Sequence, residues 1–192
     1  GFYFEFDPRY AQCFYIVQES DRVDANTLWR TRDDGASFSS VYTFDDPINA
    51  IAVSRSNPDK IVASTWGRIY WSLDAGATFT EYNIPDEMTH SIRYKLAIHP
   101  TNENEIWVSD GNAGGFWRTV DNGETWEEPI NVTEDIYSLF DAGNPIQSAF
   151  VGGGKVFQSR IVKKDKYYRV YAAMCARPNG NRVICSDDFG RT

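Results

Sequence analysis

The sequence predicts an all-β protein, and its repeats indicate a β-propeller of four-stranded antiparallel blades. A turn-like octet recurs as Thr31–Phe38, Ser72–Phe79 and Thr119–Trp126, and a copy without the last aromatic occupies Ser186–Thr192. The copies begin 41, 47 and 67 residues apart, and the first two steps have the length of a propeller blade. No segment carries a sustained helical period, so the pattern favours repeated sheets over a helical bundle.

In the second and third repeats, four short runs of branched and aromatic residues predict four strands each. Pro58-Asp59 and Trp66-Gly67 mark two of the turns between them, because these residue types favour tight turns. The predicted strands are 49–54, 60–65, 68–72 and 78–82, then 94–98, 105–109, 115–119 and 125–128. The octet therefore joins the third strand of a blade to the fourth.

The blades are predicted at about 1–44, 45–83, 84–130 and 131–192, the last of them incomplete. Closed propellers contain roughly 4–8 blades, and an open arc of three to four blades leaves unpaired strand edges. We therefore expect residues 1–192 to be a partial propeller. Its first partners would be the remaining blades, on another stretch of chain.

The residue types of the octet predict a turn stabilised by its own side chains. The aspartate can accept hydrogen bonds from turn amides, and the glycine two residues later can adopt a positive φ. The Ser and Thr hydroxyls can satisfy further turn groups, and the closing Phe or Trp gives the blade an apolar anchor. The expected structural residues are Thr31, Asp33, Gly35, Phe38, Ser72, Asp74, Gly76, Phe79, Thr119, Asp121, Gly123, Trp126, Ser186, Asp188 and Gly190.

The octet, Ser/Thr-x-Asp-x-Gly-x-Thr-Trp/Phe in its fullest form, resembles the Asp box, or bacterial neuraminidase repeat. That repeat occurs in sialidases, sortilin-type receptors, xyloglucan-degrading enzymes and photosystem assembly factors. The resemblance implies a propeller whose Asp boxes lie on the blade edges, away from the ligand. It also implies that ligands bind to the opposite loops, which join the second and third strands of a blade or join successive blades.

Of the polar and aromatic residues that fall on those loops, six are the candidate ligand contacts. Trp66 stands out because it lies in a turn beside Gly67, where an exposed aromatic ring could stack on a sugar or a peptide side chain. The candidates are Trp66, Arg68, Asp24, Asp110, Arg93 and Arg177.

We interpret the chain as a non-enzymatic binding or scaffold segment of a larger secreted or lumenal propeller, recognising protein or glycan. The alternative is a glycoside hydrolase. A sialidase would need an arginine cluster and an Arg-Ile-Pro motif, and the nearest string is Ser159–Val162, which has Val in place of Pro. A xyloglucanase-type enzyme would need two facing carboxylates, for which Asp24 and Asp110 could serve. No catalytic residue is assigned.

Composition and sequence motifs argue against several other kinds of partner. The net charge of −8 disfavours a nucleic-acid partner, and no apolar run is long enough to span a membrane. No His/Cys cluster has metal-ligand spacing and no nucleotide-binding glycine motif is present, so we expect neither metal nor cofactor.

The three cysteines cannot all pair within the chain. Cys175 and Cys185 flank an expected hairpin turn, and two registers are open. A three-residue loop centred on Gly180 would place the cysteines opposite each other and allow a disulfide, whereas a two-residue Asn179-Gly180 loop would pair Cys175 with Ile184. Without a bridge, both are small buried apolar residues.

Overall fold

The computed structural model of the chain describes residues 2–18, 25–88, 94–110, 116–130, 155–164, 167–176 and 180–186. In these ranges, three four-stranded sheets and one three-stranded sheet follow each other along the sequence, each with its strands in chain order and antiparallel. The chain has the all-β propeller fold that its repeats predict. No helix in the described ranges is long and apolar enough to cross a membrane.

The strands of the second and third sheets overlap the predicted strands. The first sheet comprises β1 (Phe2–Phe6), β2 (Phe14–Gln18), β3 (Thr27–Thr31) and β4 (Ser39–Thr43). The second comprises β5 (Ala50–Val53), β6 (Ile61–Ser64), β7 (Ile69–Ser72) and β8 (Thr80–Glu81), with a 3-10 turn at Asp86–Met88 after it. The third comprises β9 (Tyr94–His99), β10 (Asn102–Asp110), β11 (Phe116–Thr119) and β12 (Glu127–Ile130). The last comprises β13 (Lys155–Lys164), β14 (Tyr167–Ala176) and β15 (Gly180–Ser186).

Successive sheets pack against each other through their first strands, as propeller blades do around an axis. Strand β1 contacts β5, β5 contacts β9, and β9 contacts β13. The Lys95 ammonium of β9 lies 4.0 Å from the centre of the Tyr3 ring of β1, although β5 lies between the two strands in sequence. The inner strands of the first three blades therefore converge.

In the described part of the first three blades, an apolar layer fills each space between neighbouring blades. Between the first and second blades, Tyr15, Val17 and Leu28 pack against Ile51 and Ile61. Between the second and third, a second layer includes Val62, Ile69, Tyr82, Leu96 and Val108. Burial of these alternating side chains is the main source of stability in such sheets.

The three octet turns, here called motif turns (31–38, 72–79 and 119–126), have the same hydrogen bonds. In the second, the Ser72 hydroxyl donates to Asp74 Oδ1 over 2.7 Å and accepts from the Gly76 amide over 2.9 Å. The amide and hydroxyl of Thr78 both donate to the Asp74 carboxylate, over 2.9 and 2.6 Å. The hydroxyl and amide of Thr78 lower the pKa of Asp74 to about 2, so the turn loses stabilisation as the pH falls from about 4 toward 2.

Each motif turn also fastens a neighbouring turn of its own blade. Its fourth residue has a positive φ of 56–60° and donates its amide to a carbonyl in the turn before the second strand or, in the third blade, near the start of β10. The bonds run from Asp34 to Gln12, from Ala75 to Asp59 and from Asn122 to Asn104, over 2.8–3.1 Å. The motif turns and the first-to-second turns therefore share one end of the blades, here called the motif face.

The glycines of the second and third motif turns press against the preceding blade. A Cβ on Gly76 would lie 2.9 Å from Val41 Cγ1, and one on Gly123 would lie 2.3 Å from Tyr82 Cδ1. Gly35 of the first blade meets only Phe14 and Phe38 of its own blade, at 3.6 Å or more. The motif turns are thus part of the contact between blades.

The hairpin that carries Cys175 and Cys185 has neither of the two expected registers. Ala176 pairs with Gly180, which leaves a three-residue connection at 177–179 and places Cys175 opposite Asn181. Cys185 pairs with Tyr171, four residues further along β14. Residues that far apart on a strand are separated by about 13 Å, whereas a disulfide joins residues within roughly 7 Å. The two cysteines are not cross-strand partners in this register, and the disulfide between them stays a prediction.

Candidate functional site

Trp66 lies at the tip of the hairpin between β6 and β7, at the end of the blade opposite the motif turns. The Thr65 amide donates to the Arg68 carbonyl over 3.0 Å, and Gly67 has a φ of 70°, which closes a tight turn. The Trp66 side chain leaves the sheet at this tip and is 48% exposed. We call this end of the blades the loop face.

Arg68 lies on the same hairpin and is also exposed. Its Nε is 3.9 Å from Glu81 Oε1, and both side chains are about half exposed, so this ion pair adds little stability. Hydrogen bonding with Tyr70, helped by the charge of Glu81, raises the pKa of Arg68. The hairpin thus presents an indole ring and a permanent cation two residues apart.

The other candidates from the sequence are placed less fully. Asp110 ends β10 opposite Tyr94, at the loop-face end of the second strand of its blade. Asp24, Arg93 and Arg177 lie outside the described residues. Within the described ranges, Trp66 and Arg68 are therefore the two candidates whose side chains are described, and they lie two residues apart on one hairpin.

The motif face carries a feature that sequence reasoning missed. A cleft of about 490 Å³ opens between the first and second blades. Its lining consists of Asp7, Arg9, Tyr10, Gln12, Cys13, Arg30, Arg32, Asp59 and Ala75. Three arginines and two aspartates give this lining a formal charge of +1 in a chain whose net charge is −8.

Arg9 binds both carboxylates of the cleft and ties the two blades together. Its Nε and Nη2 donate to Asp7 over 3.0 and 2.7 Å, and its Nη1 donates to Asp59 over 2.6 Å. Such a forked contact holds the guanidinium in one orientation. The aspartates of the cleft are therefore committed to Arg9.

One buried position, immediately before the second strand in the first two blades and within β10 in the third, has a different residue in each blade. Strand register makes Cys13, Lys60 and Glu105 equivalent, because each precedes the residue that faces the first hydroxyl of the motif turn. All three are buried. A thiol, an amine and a carboxylate thus occupy the same place in successive blades.

Lys60 uses this position to bind the next blade. Its Nζ donates to Asn122 Oδ1 in the third motif turn, and the Tyr82 hydroxyl donates to the same oxygen over 2.9 Å. Burial lowers the pKa of Lys60 to about 8, with the charge of Glu103 acting in the opposite direction. The folded protein therefore holds Lys60 in an environment that penalises its charged form.

The stability of the protein is expected to rise with pH between about 8 and 10.5. In that interval the unfolded chain keeps the Lys60 proton while the folded chain has released it, so raising the pH favours folding. Lys60 should contribute about 3 kcal/mol over this range. Urea unfolding at several pH values measures the effect, and the Lys60→Met variant should lack this rise. An identical pH profile for both proteins would contradict the assignment.

Similarity to a known family of proteins identifies the family to which the chain belongs. Residues 26–191 match the family described as "Sortilin, neurotensin receptor 3". The chain belongs to the Sortilin-Vps10 family. A curated relative, a xyloglucanase from Paenibacillus sp., is 28% identical over 118 residues, which cover 56% of the chain and 11% of that protein.

Solved structures agree with the propeller fold of the family. A GH74 enzyme from Niastella koreensis aligns with 98% of the chain at a TM-score of 0.65 and 15% identity, and the match covers 29% of that enzyme. A structure described as YCF48 bound to D1 peptide aligns with 91% of the chain at a TM-score of 0.56 and 13% identity, and the match covers 50% of YCF48. The chain therefore spans 50% of YCF48, 29% of the Niastella koreensis enzyme and 11% of the Paenibacillus xyloglucanase.

Proposed function

We propose that this chain is the binding portion of a larger Sortilin-Vps10 propeller, which takes up a protein or peptide ligand on its loop face without chemical conversion. The observation that carries the proposal is Trp66, which stands nearly half exposed beside Arg68 on a tight hairpin. An aromatic ring with a neighbouring cation suits peptides that have an apolar side chain next to an acidic group. The neurotensin named in the family description makes a peptide the first ligand to test.

The first blade supports the proposal that further blades complete the propeller. Phe4, Phe6 and Phe38 are 57%, 54% and 45% exposed, and their rings cluster with Phe14 on one side of the sheet. At the corresponding place in the second blade, Phe79 is covered by the preceding blade.

The covering residues of Phe79 are aromatic. The centre of its ring lies 5.0 Å from that of Tyr42 and 4.9 Å from that of Phe44, both in the first blade. If blades pack in the same way throughout the propeller, a preceding blade would cover Phe38 and its neighbours.

As in other members of its family, we place the complete protein outside the cell or in a lumenal compartment.

Substitution of Trp66 is expected to weaken ligand binding without unfolding the protein. Calorimetric titration with neurotensin should give a dissociation constant that rises at least about tenfold in Trp66→Ala, because loss of one stacked aromatic ring removes that much affinity. Arg68→Ala should have a smaller effect of the same sign. Leu73→Ala is the matched control, since Leu73 is equally exposed but lies on the motif face.

The outcome that would overturn this assignment is equal binding by the Trp66→Ala and Leu73→Ala variants, or no binding by the parent chain. Melting temperatures of all three variants should stay within a few degrees of the parent, because all three side chains are exposed.

The similarity to a xyloglucanase favours a second candidate, a glycan-binding or glycan-cleaving face. The same titration with a xyloglucan oligosaccharide, followed by analysis of the sugar for cleavage, separates the two. Binding of the oligosaccharide with no cleavage would keep the face non-enzymatic but change the ligand class, and cleavage would overturn the proposal.

A further inference from the structure

The first and third blades each have an arginine at the same position, and they differ in the residue that lies beside it. Arg30 and Arg118 both lie one residue before the motif turn, and each faces the second strand of its blade. The Arg118 guanidinium carbon lies 5.3 Å from the centre of the Trp107 ring, and the Arg30 carbon lies 5.9 Å from the centre of the Tyr15 ring. Both guanidinium groups therefore lie over the ring of an equivalent aromatic residue.

In the third blade, a carboxylate of the chain satisfies this arginine. Glu105 Oε1 accepts from Arg118 Nε over 3.1 Å and lies 3.1 Å from Nη2. Glu105 is buried, and contacts of this kind between a guanidinium and a carboxylate are among the strongest hydrogen bonds in proteins.

In the first blade, the equivalent of Glu105 is Cys13, whose short side chain leaves the place of the carboxylate empty. The Cys13 thiol is buried and unbridged, and burial raises its pKa, so it contributes no negative charge. Within the described ranges, no carboxylate lies within ion-pair distance of Arg30 or Arg32, and the two aspartates of the cleft already bind Arg9. The empty place opens into the cleft of about 490 Å³.

We propose that the cleft between the first and second blades binds a carboxylate group of a ligand, which occupies beside Arg30 the place that Glu105 occupies beside Arg118. Arg30 supplies the forked donor, and the exposed Arg32 at the same cleft supplies a second cation. Arg9, fixed by Asp7 and Asp59, holds the two walls of the cleft in position. The site lies on the motif face and does not depend on the proposed function of the loop face.

The carboxylate can be the C-terminus of a peptide or an acidic side chain, and three short peptides distinguish these sources. The first is acetyl-Gly-Gly-Gly with a free C-terminus, the second is acetyl-Gly-Glu-Gly amide, and the third is the neutral acetyl-Gly-Gly-Gly amide. Titration of the full chain, followed by the NMR signals of the arginine Nε–H groups, reports binding at the cleft. One or both of the charged peptides should shift the Arg30 signal, and the neutral peptide should not.

Two substitutions test the site from opposite directions. Arg30→Gln removes the donor, and Cys13→Glu supplies an internal carboxylate that should pair with Arg30 as Glu105 does with Arg118. Each should weaken binding of the charged peptide at least about tenfold, the effect of losing one charge-assisted contact. Arg55→Gln is the control, because Arg55 is an exposed arginine that does not line the cleft.

Cys13→Glu should also keep or raise the melting temperature of the protein, since it completes an ion pair, so its loss of binding cannot be confused with unfolding. Failure of both charged peptides to shift the Arg30 signal would overturn the proposal. Equal binding by the parent chain, Arg30→Gln and Cys13→Glu would overturn it as well.

Discussion

Replacing Gly123 by alanine is expected to lower the free energy of unfolding by about 2 to 4 kcal/mol, because it adds backbone strain to a steric clash between blades. Gly123 has a φ of 81°, which costs an L-residue energy. The new methyl group would also lie 2.3 Å from Tyr82 Cδ1 in the preceding blade.

The Tyr82 ring has little freedom to move away from that methyl group. Tyr82 is buried, its hydroxyl donates to Asn122 over 2.9 Å, and its ring packs edge-on against Trp126 with the ring centres 5.8 Å apart. The clash must therefore displace either the third motif turn or the layer between the second and third blades.

Gly35→Ala is the matched control for this prediction. Gly35 has a φ of 88°, and its added methyl group would find only ordinary contacts at 3.6 Å and beyond. This substitution should lower the free energy of unfolding through backbone strain alone, by about 1 kcal/mol. Urea unfolding of the two variants measures the difference, and equal losses would mean that the motif turns do not lock the blades together.

Replacing Glu105 by alanine should cost roughly 3 kcal/mol or more, because it leaves a largely buried arginine without its main counter-charge. Arg118 and Glu105 are 3.1 Å apart, and their side chains are 13% and 8% exposed. The same carboxylate accepts from Trp107 Nε1 over 3.1 Å, so the substitution also removes the partner of a buried indole N–H.

Glu127→Ala provides the comparison, since Glu127 faces the same arginine from the solvent side. Its carboxylate lies 3.9 Å from Arg118 Nη1 and its side chain is 60% exposed. Removing it should change the free energy of unfolding by less than about 1 kcal/mol. If thermal or urea unfolding gave similar losses for Glu105→Ala and Glu127→Ala, the buried ion pair would not stabilise the third blade as described.

The sheets were predictable because the signals that define them are local. The motif turn requires an acceptor, a residue with positive φ and a hydroxyl within eight residues, so its copies mark where the third strand of each blade ends. The register of the last hairpin was not predictable in this way. Asn179-Gly180 is a strong turn signal, yet Gly180 pairs with Ala176 and the connection is 177–179.

The candidate sites were only partly predictable. Trp66 was recognisable, since Gly67 beside it marks a turn and a large ring in a turn has few places to be buried. The cleft was not, because Arg9 reaches Asp59 across 50 positions of sequence and Arg30 meets Cys13 only through strand register. An alignment of the three repeats would have shown one sign of the cleft. The first and third blades both have an arginine before the motif turn, but the position of Glu105 in the third blade holds Cys13 in the first.

The most direct test of the central claim, that the loop face binds the ligand, is hydrogen–deuterium exchange of the full chain with and without neurotensin or a xyloglucan oligosaccharide. Our account predicts slower amide exchange at residues 65–68 with one of these ligands and unchanged exchange in the third motif turn at 119–126, which does not line the cleft. Protection confined to the motif turn, or no protection with either ligand, would contradict it.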